Sequence, residues 1–100
     1  MRYQPVTPDR ALVERMAQGD PHAIHELRRR HETSLYALAY SVVFDPDTAE
    51  EVVAEAFEQV RRAASSFEPD GGTVFSWLSG LTRSRARCLA RGYTASRRPV

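Results

Sequence analysis

Three arginines at helical spacing, Arg83, Arg87 and Arg91, are the residues of this chain best suited to chemistry with a polyanion. At about 100° per residue they share one helix face with Ser76, Gly80 and Ser84, whose small size lets a phosphate backbone approach. Each guanidinium can fork onto phosphate oxygens, and counterion release from several such contacts makes binding fall steeply with salt. A solubilising face is the competing reading, although such a face normally mixes both signs of charge. A second charged set, Glu51, Glu55, Glu58 and Arg62, stacks at i, i+4, i+7 and i+11, with Glu58 and Arg62 forming a favourable i,i+4 pair. That strip is either a solvated helix face or a surface for a basic partner.

The whole chain is organised by the same split. Gly71 to Val100 holds six arginines and no Asp or Glu, whereas Met1 to Asp70 holds all thirteen acids against eight arginines. The net charge of +1 conceals this segregation, which suggests two faces for two partners, with nucleic acid the candidate for the basic end. All fourteen basic residues are Arg, which a GC-rich coding sequence explains as readily as a demand for planar, forked donors. Phe67, Phe75, Trp77 and Tyr93 bracket the basic stretch, an interleaving that single-stranded nucleic acid readers use for base stacking. Core packing suits Phe67 and Trp77 better, while Phe75 falls off the apolar stripe and is the better stacking residue. Arg85 falls on the apolar side, near Leu78, Leu81 and Leu89, where it must snorkel or find a carboxylate from the body.

Catalysis has little support. His22, His25 and His31 lack the spacing of zinc ligands, no glycine-rich phosphate loop follows a strand, and no nucleophile has a recognisable base and orienting acid. The single cysteine, Cys88, permits no internal disulfide and reads as a small core residue. Neither a metal nor a cofactor is expected. No apolar run is long enough for a signal peptide or a membrane span, so a cytoplasmic chain without a membrane partner is expected.

One hundred residues with 42% apolar content can bury one modest core, so a single domain must position these residues. Thr7 and Pro8 give a first helix start, with Leu12, Val13, Met16 and Ala17 as its stripe and Gly19 as a left-handed stop. Asp20-Pro21 opens a long second helix carrying Ile24, Leu27, His31, Leu35, Leu38 and Val42, with a kink between His31 and Ser34 as one option. Asp45-Pro46-Asp47 breaks it, and Asp47 with Glu50 predicts a capping box for the third helix. Ala49, Val52, Val53, Ala56, Phe57, Val60, Ala63, Ala64 and Phe67 then hold helical spacing almost without error. Glu68 to Thr73 reads as a loop, and a fourth helix is expected from about Val74 to Arg91, with Leu78, Leu81, Cys88 and Leu89 inward and Gly92 closing it. Nothing alternates with period two, so the expected fold is an all-α bundle of about four helices. The expected organisation is an N-terminal arm over 1–10, the helical domain over 11–92, and the start of a linker over 93–100.

The order of these segments resembles a known family. Leu12 to Asp20, Leu35-Tyr36-Ala37-Leu38-Ala39, the stretch from Asp45 to Phe57, and Phe67-Glu68-Pro69 ahead of Trp77-Leu78 are together similar to region 2 of the extracytoplasmic-function (ECF) sigma factors of the bacterial sigma-70 family. The likeness runs from about Ala11 to Arg91. It implies that the third helix docks on the β′ clamp helices of core RNA polymerase, with Glu51, Ala54, Glu55 and Glu58 at the contact. It implies also that Thr73, Phe75, Trp77, Arg83, Ser84, Arg87 and Arg91 meet the promoter −10 element, hold a flipped single-stranded base and help open the duplex. An anti-sigma factor is a further partner that the likeness suggests.

The sequence departs from the family's pattern at several positions. Ala54 stands where Gln is common, Arg61 where Trp is frequent, Gly71-Gly72 where a basic residue is common, Val74 where Phe is frequent, and Ser84 and Cys88 where Asn and Asp are usual. No counterpart of region 4 follows, so either an isolated domain or a one-domain variant is expected. These departures sustain a second reading, a protein-interaction module on the same fold that binds polymerase or an anti-sigma factor without recognising DNA.

Overall fold

The computed structural model describes residues 7–66 and 72–97, with side chains as far as Gly92 in the last helix. Four helices follow one another: α1 (Asp9–Ala17), α2 (Pro21–Val43), α3 (Pro46–Ala63, followed by a short 3₁₀ turn at Ala64–Ser66) and α4 (Val74–Arg97). The described residues form no strand, and the all-α expectation holds. Phe67, Glu68 to Gly71, the Tyr93 side chain and most of the N-terminal arm lie outside the described residues.

The turn between α1 and α2 shows how local sequence sets the path. Gly19 takes φ 89°, its N–H donates to the Met16 carbonyl at 2.9 Å, and the Asp20 N–H reaches the Arg15 carbonyl at 3.0 Å. This is a Schellman closure, which needs a left-handed residue at that point. Asp20 then caps α2 by accepting from the His22 N–H at 2.9 Å, and its carboxylate also accepts from Arg15, fastening the two helices end to end. Those two bonds, that from Arg15 first, hold its carboxyl below the usual carboxylate range. α2 then runs without interruption to Val43, with no break between His31 and Ser34.

Two helix starts differ from expectation by one or two residues. The cap of α3 is Asp45, whose Oδ2 accepts from the Thr48 hydroxyl and N–H at 2.7 and 2.8 Å, and not Asp47. Pro46 takes the first helical position, where its fixed φ fits and its missing N–H costs nothing, so the cap must be the residue before it. At α1 the cap position is Pro8, with no side-chain bond, and the Thr7 carbonyl instead accepts from Arg30 at 2.5 Å.

α2 is the central element and packs against the other three helices. Leu12, Leu27, Leu35, Val52, Val53, Phe57, Val60 and Leu78 are fully buried or nearly so, and Ala23, Ala39, Ala49 and Ala86 keep the helix axes close at the crossings. On α4 the buried line is Val74, Leu78, Thr82 and Ala86, one residue every four, while Leu81 and Leu89 are half-buried at its edge. Thr82 tolerates full burial because its hydroxyl donates to the Leu78 carbonyl at 2.8 Å. Cys88 is exposed, against the expectation that it points inward: it lies two residues from Ala86, about 200° round the helix. Gly92 does not close α4, which continues to Arg97, and Gly19 is the one glycine with positive φ among the described residues.

Candidate nucleic-acid and polymerase interfaces

The central line of α4 faces the core, so its two edges point to different surroundings. Arg83, Arg87 and Arg91 form one edge and, with Gly80 and Ser84, line a shallow groove of about 380 Å³. None of the three has an Asp or Glu within ion-pair reach among the described residues. A Cβ added at Gly80 would meet no atom within 4 Å, so packing does not require glycine there. A mid-helix glycine costs about 1 kcal/mol relative to alanine, and what it provides is an open floor beside three guanidinium groups.

Arg85 forms the opposite edge and is paired. It reaches across to α3, where its guanidinium donates to both carboxylate oxygens of Glu55. That bond, with the carboxylate's charge, raises the Arg85 pKa further above its ordinary value. The alternatives left by the sequence thus resolve to a carboxylate from the body.

The acidic set of α3 is divided rather than continuous. Glu51 and Ala54 line a groove of about 640 Å³ between α2 and α3, together with Arg28, Glu32, Tyr36 and Glu50. Glu55 and Glu58 line a different groove, between α3 and α4, with Gln59, Arg62 and Leu81. Glu58 pairs with Arg61 at 2.5 Å and not with Arg62, and the Arg61 hydrogen bond lowers its pKa. Glu51 is therefore the glutamate of that strip with no ion pair among the described residues, and Arg62 is likewise unpaired.

Near the start of α4 the expected DNA residues have local duties as well. The Thr73 hydroxyl oxygen accepts from the Ser76 N–H at 3.0 Å, which caps the helix. Trp77 is half-buried against the core, as expected, and Phe75 is 40% exposed. The Phe75 ring packs on His31 with ring centroids 5.3 Å apart. His31 Nε2 lies 2.7 Å from Asp9 Oδ2, and Arg30 donates to the other oxygen of that carboxylate at 2.9 Å. The sequence places His31 in the row of α2 that carries Leu27 and Leu35, but its partners on α1 and α4 carry no local signature. Among the described residues no cluster of three or more His, Cys, Asp or Glu is arranged to hold a metal, and no helix is long and apolar enough to cross a membrane.

Comparison with known proteins agrees with this arrangement. Residues 27–95 match the model of the sigma-70 region 2 family. An ECF RNA polymerase sigma factor SigK of a Mycobacterium species (strain KMS) is 32% identical over 75 residues, covering 75% of this chain and 39% of that protein. The SigK of Mycolicibacterium vanbaalenii is 33% identical over 76 residues, covering 76% and 39%. The RNA polymerase sigma-H factor of Pseudomonas aeruginosa is 32% identical over 86 residues, covering 84% and 44%. The chain thus spans well under half the length of these curated relatives, and no solved structure matches it. With the bundle, the motif order and the family match in agreement, the chain belongs to the sigma-70 region 2 family, in the form found in ECF sigma factors.

Proposed function

We propose that this chain is a transcription-initiation module that binds core RNA polymerase through α3 and engages the promoter −10 element through α4. The observation that carries the reading is the row of Arg83, Arg87 and Arg91, without acidic partners among the described residues, along a groove floored by Gly80. Three unpaired cations over an open floor suit the phosphates of a single strand, and Ser84 adds a neutral hydrogen-bonding group between them. Phe75, exposed and held from behind by His31, offers an unstacked base a ring to lie on. Thr73 fixes the helix start from which Phe75 and Trp77 project. Melting is then driven by binding: trapping one flipped base and its strand favours the open form wherever the duplex opens easily.

For the polymerase, α3 offers Glu51 and Ala54 in the α2–α3 groove and Glu55 and Glu58 beyond it, a surface suited to a basic helix such as a β′ clamp helix. The module acts by binding and not by catalysis, works in the cytoplasm where transcription occurs, and shares its α3 surface with any anti-sigma factor that silences it. A duplex carrying 2-aminopurine in its −10 element tests the reading. Core polymerase with this chain raises the fluorescence as the base unstacks, and Arg83→Glu with Arg87→Glu abolishes the rise. No rise, with the chain still co-eluting with polymerase, would leave the interaction module that does not read DNA.

A further inference from the structure

Phe44 combines two features that a protein surface normally avoids. It ends α2 at φ 55°, a left-handed conformation that bulky residues rarely adopt and that helix C-termini usually give to glycine or asparagine. It also leaves its ring 73% exposed. The Phe44 N–H closes the helix on the Tyr40 carbonyl at 2.9 Å, a bond that glycine would make without strain. Backbone strain kept at an exposed aromatic points to a role for the ring outside the fold of the chain.

The ring continues an apolar path. Tyr36, Tyr40 and Phe44 follow at i, i+4 and i+8 along α2, with centroids 6.2 Å apart in the first pair and 6.3 Å in the second. Tyr40 is 41% exposed. Beside Phe44 a cleft of about 800 Å³ opens between the α2–α3 turn and the later part of α4, walled by Val43, Phe44, Leu89 and Ala90. Its charged lining residues are Asp45 and Glu51, and no Arg lines it among the described residues. The bonds from Thr48, the hydroxyl first, keep the Asp45 pKa low.

We propose that this cleft is a docking site for an amphipathic helix of a partner protein, with apolar residues at i and i+4 against Phe44 and Leu89 and with Lys or Arg on its flanks. A helix fits because the walls are themselves helices and the described residues present no sheet edge for strand addition. Basic flanks fit because the rim is acidic. A two-fold dimer through this cleft fits poorly, because it would bring the acidic rim of one copy against the acidic rim of the other. Glu51 also borders the α2–α3 groove, so this helix and a polymerase docked there would compete for it.

The test uses the 100-residue chain, ¹⁵N-labelled, and two synthetic helical peptides with leucine at i and i+4, one with Lys and one with Glu at the other positions. The Lys peptide should shift the resonances of Val43, Phe44, Leu89 and Ala90, and the Glu peptide should bind at least tenfold more weakly. Phe44→Gly should bind the Lys peptide at least tenfold more weakly while melting no lower than the parent, because glycine relieves the strain. Phe44→Asn, which also tolerates the left-handed cap, should show the same loss. Equal affinity in parent and Phe44→Gly overturns the proposal, as do shifts confined to Glu55 and Glu58. Sedimentation that reveals a dimer lost in Phe44→Gly overturns it too, in favour of a second copy as the occupant.

Discussion

The α3 and α4 surfaces use charge in opposite ways. On α3, Glu55 and Glu58 are committed to Arg85 and Arg61, which leaves Glu51 as the acid of its strip with no ion pair. On α4, Arg85 is committed and Arg83, Arg87 and Arg91 are not. An exposed ion pair adds little stability, but it holds a side chain in one geometry and offsets the charge a partner can feel. The two faces are equally conspicuous in the sequence, yet among the described residues the structure leaves three unpaired arginines on the basic edge and one unpaired glutamate in the acidic strip. The pair that joins them, Glu55 to Arg85, removes one charge from each.

The comparison breaks most completely where both faces lose their support. Phe57→Ala takes away the largest of the deeply buried side chains and should cost about 3–5 kcal/mol, read as an earlier urea midpoint with loss of both binding activities. Next in size is charge reversal on the open edge. Arg83→Glu with Arg87→Glu should weaken single-stranded DNA on the order of 100-fold near 0.1 M salt, and polymerase co-elution should persist. The same reversal at Arg61 and Arg62 should leave DNA affinity nearly unchanged, since neither residue lines the α4 groove.

Smaller effects sharpen the contrast. Gly80→Ala should stabilise the chain by about 1 kcal/mol, because nothing within 4 Å obstructs the new methyl, and should weaken DNA binding by covering the groove floor. Glu55→Gln frees Arg85, which lines the α3–α4 groove and not the α4 groove, and should leave the salt dependence of single-strand binding unchanged, with little change in melting temperature. The smallest effect concerns acid stability. Asp20 and Asp45 have folded pKa values below their unfolded ones, so they stabilise above the usual carboxylate range and lose that contribution as pH falls through the folded values. Asp45→Asn keeps a capping side chain without the titration, and its melting temperature should fall less steeply below pH 4 in a pH series.

Much of this was legible because α3 and α2 carry clean periodic patterns. Val52, Val53, Ala56, Phe57 and Val60 are buried as their spacing requires, and Gly19 stops α1 in the left-handed region as its position requires. The α4 face was harder, because its central line runs through Thr82 and Ala86, one polar and one small, and hydrophobicity drew the stripe toward Cys88. Gly92 misled because a glycine inside a helix costs only about 1 kcal/mol, and α4 passes through it. The charge stripes were visible, but their pairing was not. Glu55 and Arg85 are 30 residues apart, and Asp9 and His31 are 22, so their contacts exist only once the helices pack.

The central claim, that Arg83, Arg87 and Arg91 form the strand-binding edge, is tested most directly by fluorescence anisotropy of a single-stranded −10 oligonucleotide with chain and core polymerase across a salt series. The account predicts that Arg83→Gln, Arg87→Gln and Arg91→Gln each lower the slope of log affinity against log salt by about 0.7, with Arg62→Gln lowering it by nothing. A slope unmoved by all three α4 substitutions would contradict it.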